Sequence, residues 1–328
     1  MPPYRIAIQG AQTLLGKELH TALDERHFPA LLPKLLEAPG GSNAKEERTL
    51  AEFGDEAAVL EPCAPETLSE VEVVFLAGTA AEAKAVAAMV PASALVVDLS
   101  GGLTNGDGSA VAGLEPSFTA PRPRVIVVAH PAAQALAHLL DRLSEAGRME
   151  ALAATVFEPV SQRGWSGIQE LQQQSTRLLG MQSLPEEVFG CQVAFDLRPR
   201  LGAAALPGLG DIRRRIAAEI AALGSIVVPA LNVLQAPLFH ATLLSAYVRF
   251  ASETKQEAVL AALKSTWLAP SNEYPDAVSV AGADTIQLGP VRLDAAGGYW
   301  LWAALDNLRR TAFSAVDAAL AALAQGLQ

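Results

Sequence analysis

Between Tyr4 and Val128, short apolar and β-branched runs alternate with stretches whose apolar residues recur every three or four positions. Tyr4–Ile8, Lys34–Leu36, Val71–Leu76, Ala94–Asp98 and Val125–Val128 have the length and composition of buried strands, while Leu15–Arg26 and Ala80–Met89 carry helical periodicity. The segments Pro39-Gly-Gly-Ser-Asn43 and Gly101-Gly-Leu-Thr-Asn-Gly-Asp-Gly108 read as loops. This alternation predicts an α/β half, a Rossmann-like, doubly wound parallel sheet covered by helices on both faces.

After Gly147 the runs lengthen and alternate: Ala151–Phe157, Cys191–Leu197, Ser225–Leu231, Leu243–Phe250, Val278–Gln287, Val291–Leu293 and Tyr299–Ala303. Helical patterns lie between or after them at Gly167–Leu179, Asp211–Leu223, Thr254–Ser265 and Asn307–Ala324. The second half is therefore expected to be α+β, with one mixed or antiparallel sheet and helices on one face. The domains are expected at residues 1–133 and 134–307, with the small and apolar helix 308–328 returning to the first.

At the junction lies Val127-Val-Ala-His-Pro-Ala-Ala-Gln-Ala-Leu-Ala-His-Leu-Leu140, a strand, a turn and a helix start. Strand-to-helix turns of this kind often present a nucleophile. Here the turn offers only the methyl groups of Ala132 and Ala133.

Composition narrows the partners. The chain has 328 residues, 51% of them hydrophobic, enough for two packed cores. A formal net charge of -11 argues against nucleic acid or an anionic membrane and leaves a small molecule or a protein. Cys63 and Cys191 have no metal-ligand spacing, and no His/Asp/Glu cluster supplies one, so no metal is expected. No uninterrupted apolar run reaches the ~18 residues of a membrane span, and the first residues lack a signal-peptide pattern, so a soluble cytoplasmic protein is expected.

Gly10-Ala-Gln12-Thr13-Leu14-Leu15-Gly16 joins the first strand to the first helix. Its glycines permit a tight turn and a close approach of helix N-terminal amides to a phosphate; the competing reading is a plain turn that binds nothing. Glu37, at the end of the second strand, has the position of an acid that accepts ribose hydroxyls and repels a 2′-phosphate, which favours NAD over NADP; otherwise it is a solvated loop acid.

Several segments, collinear over nearly the whole chain, resemble the aspartate-semialdehyde dehydrogenase family. They are Gly10 to Pro29, Ala77-Gly78, Asp98-Leu-Ser100, His130-Pro131, Gly167-Ile-Gln-Glu-Leu171 with Gln174, Ala194-Phe195-Asp196 with Pro199, and Asp306-Asn307-Leu308-Arg309. The resemblance implies a homodimer whose second-domain sheet forms the interface, and a role in amino-acid biosynthesis through NADPH-dependent reduction of β-aspartyl phosphate. It also implies a nucleophilic cysteine, an acid/base histidine, an orienting glutamine and two substrate-binding arginines.

Carried over by position, the cysteine falls at Ala133, the histidine at Thr242 and the glutamine at Glu158. The arginines fall at Thr104 and Gln235. Ala241 replaces the glycine before the histidine, and His240 is two residues early, where a strand would place it on the same face about 6.6 Å away. In the cofactor site the family's 2′-phosphate arginine falls near Gly41, while Ser42 and the nicotinamide-side Asn307 are kept. Ser42 favours NADP where Glu37 favours NAD, so the resemblance implies NADP or NAD with weakened or absent binding.

The leading expectation is a homologue that keeps the fold, and with it a capacity for a small-molecule ligand, but has lost the catalytic groups. A rival is an NAD(P)-dependent oxidoreductase on another substrate, using His130 and Glu158 as a proton-moving couple with Arg163 as the remaining cation. A third reading is a purely structural partner of another enzyme. Cys191 is expected to be a small buried core residue, Ser161 a turn former, and His20, His27 and His138 surface or satisfied helix residues.

Overall fold

The computed structural model describes residues 3–39, 50–53, 56–103, 109–118, 122–225 and 227–325. The chain divides into two compact units, Met1–Ala129 with Thr311–Gln328, and His130–Arg310.

In the first unit the elements are β1 (Ile6–Gln9), α1 (Leu14–Glu25), β2 (Lys34–Leu36), β3 (Leu50–Phe53), β4 (Glu56–Val59), α2 (Pro65–Leu68), β5 (Val73–Leu76), α3 (Ala80–Ala87), β6 (Leu95–Asp98), β7 (Ser109–Ala112) and β8 (Val125–Val128). Six strands form an all-parallel sheet in the order β2-β1-β5-β6-β8-β7. The strand order reverses at β1, and such a switch point is where open α/β sheets bind ligands. Every residue of β1, β5 and β6 is buried, as expected of parallel strands covered on both faces.

The hairpin β3–β4 and the edge strand β7 have no counterpart among the strands expected from sequence. Ser109-Ala-Val-Ala112 is short and mostly small, a pattern too weak to separate from the preceding loop.

The second unit contains α4 (Pro131–Ser144), β9 (Met149–Glu158), α5 (Gly164–Leu179), α6 (Leu209–Ala222), β10 (Ala230–Gln235), β11 (Thr242–Phe250), α7 (Gln256–Ala262), β12 (Leu268–Pro270), β13 (Ile286–Leu288), β14 (Arg292–Leu293), β15 (Tyr299–Leu305) and the first residues of α8 (Asn307–Gln325). Its mixed sheet runs β10-β9-β11-β15-β13-β12, with β14 pairing β15. The even residues at the end of β9 (Ala154, Val156, Glu158) face inward and are buried, whereas Ala153, Thr155 and Phe157 are more exposed.

The boundary lies at Ala129/His130 rather than after residue 133, because the start of α4 is tied by hydrogen bonds to β9 and α6 of the second unit. The other boundary lies at Arg310/Thr311 inside α8, where residue 307/308 was expected. From Thr311 on, α8 packs with the first unit, burying Phe313, Val316 and Ala319 beside Phe75 and Leu19. Arg26 stacks 4.7 Å over the Phe313 ring and pairs with Asp317 at 2.7 Å.

Cys191–Leu197 is not a strand. Gln174 takes over its ladder bonds: its Oε1 accepts from Val193 and Ala194, and its Nε2 donates to the carbonyls of Pro185 and Cys191. Of Val278–Gln287, only the end joins the sheet, because Asp276 accepts the Val278 and Ser279 amides and closes a turn there. The strand expected at Ser225–Leu231 lies later, as β10, and the helix expected at Thr254–Ser265 is the shorter α7.

Truncating the fully buried Phe313 should cost about 3–5 kcal/mol in chemical denaturation, as expected of a large aromatic core side chain. A loss below 1 kcal/mol would show that the second half of α8 is not docked.

Candidate functional site

Within the first unit, the Gly10–Gly16 turn forms where β1 and β5 end. Gly10 has φ +79°, and a Cβ there would lie 2.5 Å from the Gly78 nitrogen, so the Ala77-Gly78 backbone approaches Gly10 only because Gly10 lacks a side chain. Thr13 caps α1. Its hydroxyl accepts the Gly16 amide at 2.9 Å and lies 2.8 and 2.9 Å from the carbonyls of Gly10 and Ala77. The Thr13 side chain is therefore folded back into the turn.

Gln12 is exposed, and the first-turn amides of Leu14 and Leu15 have no partner among the described residues. Glu37 follows β2 half-buried, its amide bonded to Glu61 and its carboxylate without a partner among the described residues. Free amides at a helix start and a free acid after β2 fit the pyrophosphate and ribose of a dinucleotide. Thr104, Gly41 and Ser42 lie outside the described residues.

Within the second unit, Glu158 ends β9, Gln235 is its register partner on β10, and Thr242 lies one step beyond the Leu243–Phe157 pair on β11. The three side chains therefore form a row on the inner face. Glu158 is 2% exposed, and Gln235 and Thr242 are fully buried. His130 Nε2 lies 3.1 Å from Glu158 Oε1, while its Nδ1 accepts the Ala132 amide at 3.2 Å and caps α4. With Nδ1 accepting, the ring proton sits on Nε2 and is donated to the carboxylate.

The backbone amide of His130 donates to Glu219 on α6, whose other oxygen takes the Arg215 guanidinium. Ala133, third in α4, is a fully buried methyl.

The remaining candidates are engaged elsewhere. Arg163 donates to the carbonyls of Leu206 and Pro207 and stacks over Phe189, so it is not a free anion receptor. Burial lowers its pKa, and the nearby Glu158, Cys191 and Glu170 oppose that shift. Ser161 is buried and accepts from Asn307 Nδ2 at 3.1 Å, while Asn307 Oδ1 accepts the Ala241 amide at 2.9 Å; a turn role alone does not describe it. Cys191 is half-buried rather than buried, because its segment is irregular. His240 is exposed on the turn before β11, not on a strand. His20 is half-buried, His27 exposed, and His138 bonds Ser265 at 2.9 Å.

Glu219 was not anticipated from sequence, although an acid within the apolar stripe Ile212, Ile216, Ile220 is a signal that it needs buried partners. Among the described residues no group of His, Cys, Asp and Glu could hold a metal, and no helix is long and apolar enough to cross a membrane.

Residues 5–160 match the family of the semialdehyde dehydrogenase NAD binding domain, and residues 140–310, just over half of the chain, match the semialdehyde dehydrogenase dimerisation domain. The chain belongs to the semialdehyde dehydrogenase family. Among its relatives in that family, a USG-1 protein homolog of Azotobacter vinelandii is 31% identical over 99% of both chains. An aspartate-semialdehyde dehydrogenase of Streptomyces akiyoshiensis is 24% identical over 94% of this chain and 95% of the relative. A solved probable aspartate-semialdehyde dehydrogenase from Pseudomonas aeruginosa is 29% identical, covers 99% of this chain and 98% of its own, and superposes with a TM-score of 0.79. The semialdehyde dehydrogenase NAD binding match contains the whole Gly10–Gly16 turn, and the dimerisation match contains Gln235, Thr242 and Asn307.

Ala241, where the resemblance places a glycine, keeps a glycine-like φ of +72° and is buried. Relief of left-handed strain and the added chain entropy of glycine oppose each other, so Ala241→Gly should change stability by less than about 1 kcal/mol. Ala241→Val should cost more than about 2 kcal/mol, because a β-branched side chain disfavours that backbone still more. Thermal or urea unfolding of the pair checks this. His130→Ala removes both the α4 cap and the partner of a buried carboxylate, and should cost roughly 2–5 kcal/mol in the same measurement.

Proposed function

We propose that this chain is a catalytically silent semialdehyde dehydrogenase homologue that keeps a dinucleotide-binding domain and a dimerisation scaffold. The observation that carries the reading is Ala133, a buried methyl at the third residue of α4, matched to the family's nucleophile. No thiol there means no covalent acyl intermediate. Glu158 supports it further, since a buried carboxylate at the glutamine position repels an acyl phosphate, and neither Gln235 nor Thr104 supplies a guanidinium.

Purified protein given aspartate semialdehyde, phosphate and NADP should reduce the cofactor no faster than buffer. The double variant Ala133→Cys, Thr242→His should remain inactive, because both guanidinium groups are still missing. Wild-type turnover well above buffer would sink the proposal.

The free amides of Leu14 and Leu15 and the carboxylate of Glu37 support dinucleotide binding. Titration with NAD and with NADP should raise the unfolding free energy, by about 2.7 kcal/mol at 100 times Kd. Glu37 favours NAD, and the order of the two responses measures its weight. No response to either cofactor would remove the binding claim.

The outer face of the second-unit sheet supports dimerisation. Phe157, Tyr247, Trp300 and Trp302 lie on it, with ring pairs at 5.8 and 5.1 Å, and Trp300 is 37% exposed. The double variant Tyr247→Asp, Trp300→Asp should sediment as a folded monomer where the wild type sediments as a dimer. A wild-type monomer would reject the assignment.

The 3.1 Å His130–Glu158 contact favours a second reading, a dinucleotide-dependent oxidoreductase that uses this couple for proton transfer. It predicts substrate-dependent reduction of NAD or NADP that Glu158→Gln abolishes without loss of cofactor binding.

A further inference from the structure

Three buried oxygens of the inner-face row have no hydrogen-bond partner among the described residues: Glu158 Oε2, Gln235 Oε1 and Thr242 Oγ1. They belong to neighbouring positions at one end of three adjacent strands, on one face. Buried polar atoms in native proteins are almost always paired, so three orphans in one row indicate an occupant.

The chemistry of that occupant follows from the atoms. Glu158 Oε2 and Gln235 Oε1 can only accept, and the orientation of the Gln235 amide is fixed because its Nε2 donates to the carbonyls of Glu158 and Ala236. Two of the three positions therefore call for donors, and the Thr242 hydroxyl can accept beside them. The Glu158 carboxylate has no charged hydrogen-bond partner: the histidine facing it donates from a neutral tautomer, and the Arg163 guanidinium, which acts on it only through space, donates to the Leu206 and Pro207 carbonyls. A buried carboxylate in this setting favours a cation that brings its own N–H groups.

A primary ammonium group has three donors and one positive charge, matching three oxygens and one carboxylate. Water supplies two donors and no charge. An acyl phosphate or a carboxylate would meet two oxygens that only accept and, at most, the one hydroxyl donor of Thr242.

We propose that this row binds the primary ammonium group of a small amino compound, a polarity opposite to that of the arginine-lined anion site implied by the family resemblance. The proposal deepens the reading of a silent homologue and rests on it for the absence of acyl-phosphate chemistry at these positions.

The test uses methylammonium chloride as probe, with potassium chloride and tetramethylammonium chloride at the same ionic strength and pH. The thermal midpoint of the full chain should rise saturably with methylammonium alone. Glu158→Gln should abolish the rise, and Thr242→Val, which removes one oxygen at nearly constant shape, should weaken the apparent Kd roughly tenfold. If Glu158→Gln does not fold, Thr242→Val decides. A flat response, an equal response to either control salt, or an unchanged Kd in Thr242→Val overturns the proposal. These outcomes are separable from failure of the underlying reading, which only dehydrogenase turnover of the unmodified protein would overturn.

Discussion

The hydrogen bond from His130 to Glu158 is the contact around which the second unit's site is organised. It fixes the tautomer of the ring, and the tautomer leaves Nδ1 free to cap α4 through Ala132. Pro131 contributes no amide at this end, so the imidazole and the Glu219 carboxylate between them anchor the chain where the helix begins. A charged imidazolium would lose the cap, and an apolar residue in place of Glu158 would leave the Nε2 proton without an acceptor. One ring thus couples the helix start to the end of β9, and Ala133 is buried as a consequence of that anchoring rather than of any chemistry of its own.

The same economy appears at the Gly10–Gly16 turn. Thr13 is an N-cap whose hydroxyl also closes the turn onto Gly10 and Ala77, and the β1 and β5 ends touch through glycine. Thr79 and Glu82 close a capping box at the start of α3, and Glu82 also accepts from the buried Gln9. These groups serve the fold first. What remains for a ligand are the backbone amides of Leu14 and Leu15, which no side chain of the turn takes up.

The elements most legible in the sequence were those with a single strong period. Lys34–Leu36 and Val125–Val128 lie where the apolar runs put them, and α1, α5, α6 and α8 begin within a few residues of their predicted starts. Cys191–Leu197 alternates like a strand but is held by Gln174, a residue seventeen positions away on a helix, and no local pattern records that rescue. Val278–Gln287 failed because one Asx turn at Asp276 outweighed β-propensity. Of the candidate site, the closeness of His130 and Glu158 could be anticipated from the resemblance. The engagement of Arg163 with Leu206 and Pro207 could not, since it depends on a loop more than forty residues away.

A physical distinction separates the family-like positions that persist here from those that differ. Gly10, Gly78, Asp98, Gln174 and Asn307 each answer a requirement of the backbone: a close approach at the glycines, and elsewhere amides that need an acceptor, at Ser100 and Leu103, at Val193 and Ala194, and at Ala241. Replacing any of them would leave a clash or an orphaned amide in the interior. Of the positions that the resemblance assigns to catalysis, Ala133 has no polar side-chain atom and the Thr242 hydroxyl has no partner among the described residues, whereas Gln235 donates to the backbone carbonyls of Glu158 and Ala236 and Glu158 accepts from the histidine that caps α4. Ala133 and Thr242 are therefore free to differ while the fold stays the same, and Glu158 and Gln235 make structural bonds of their own. All four are buried, and among the described residues three of their oxygens lack a donor, so the polarity of this row is set by what it can accept.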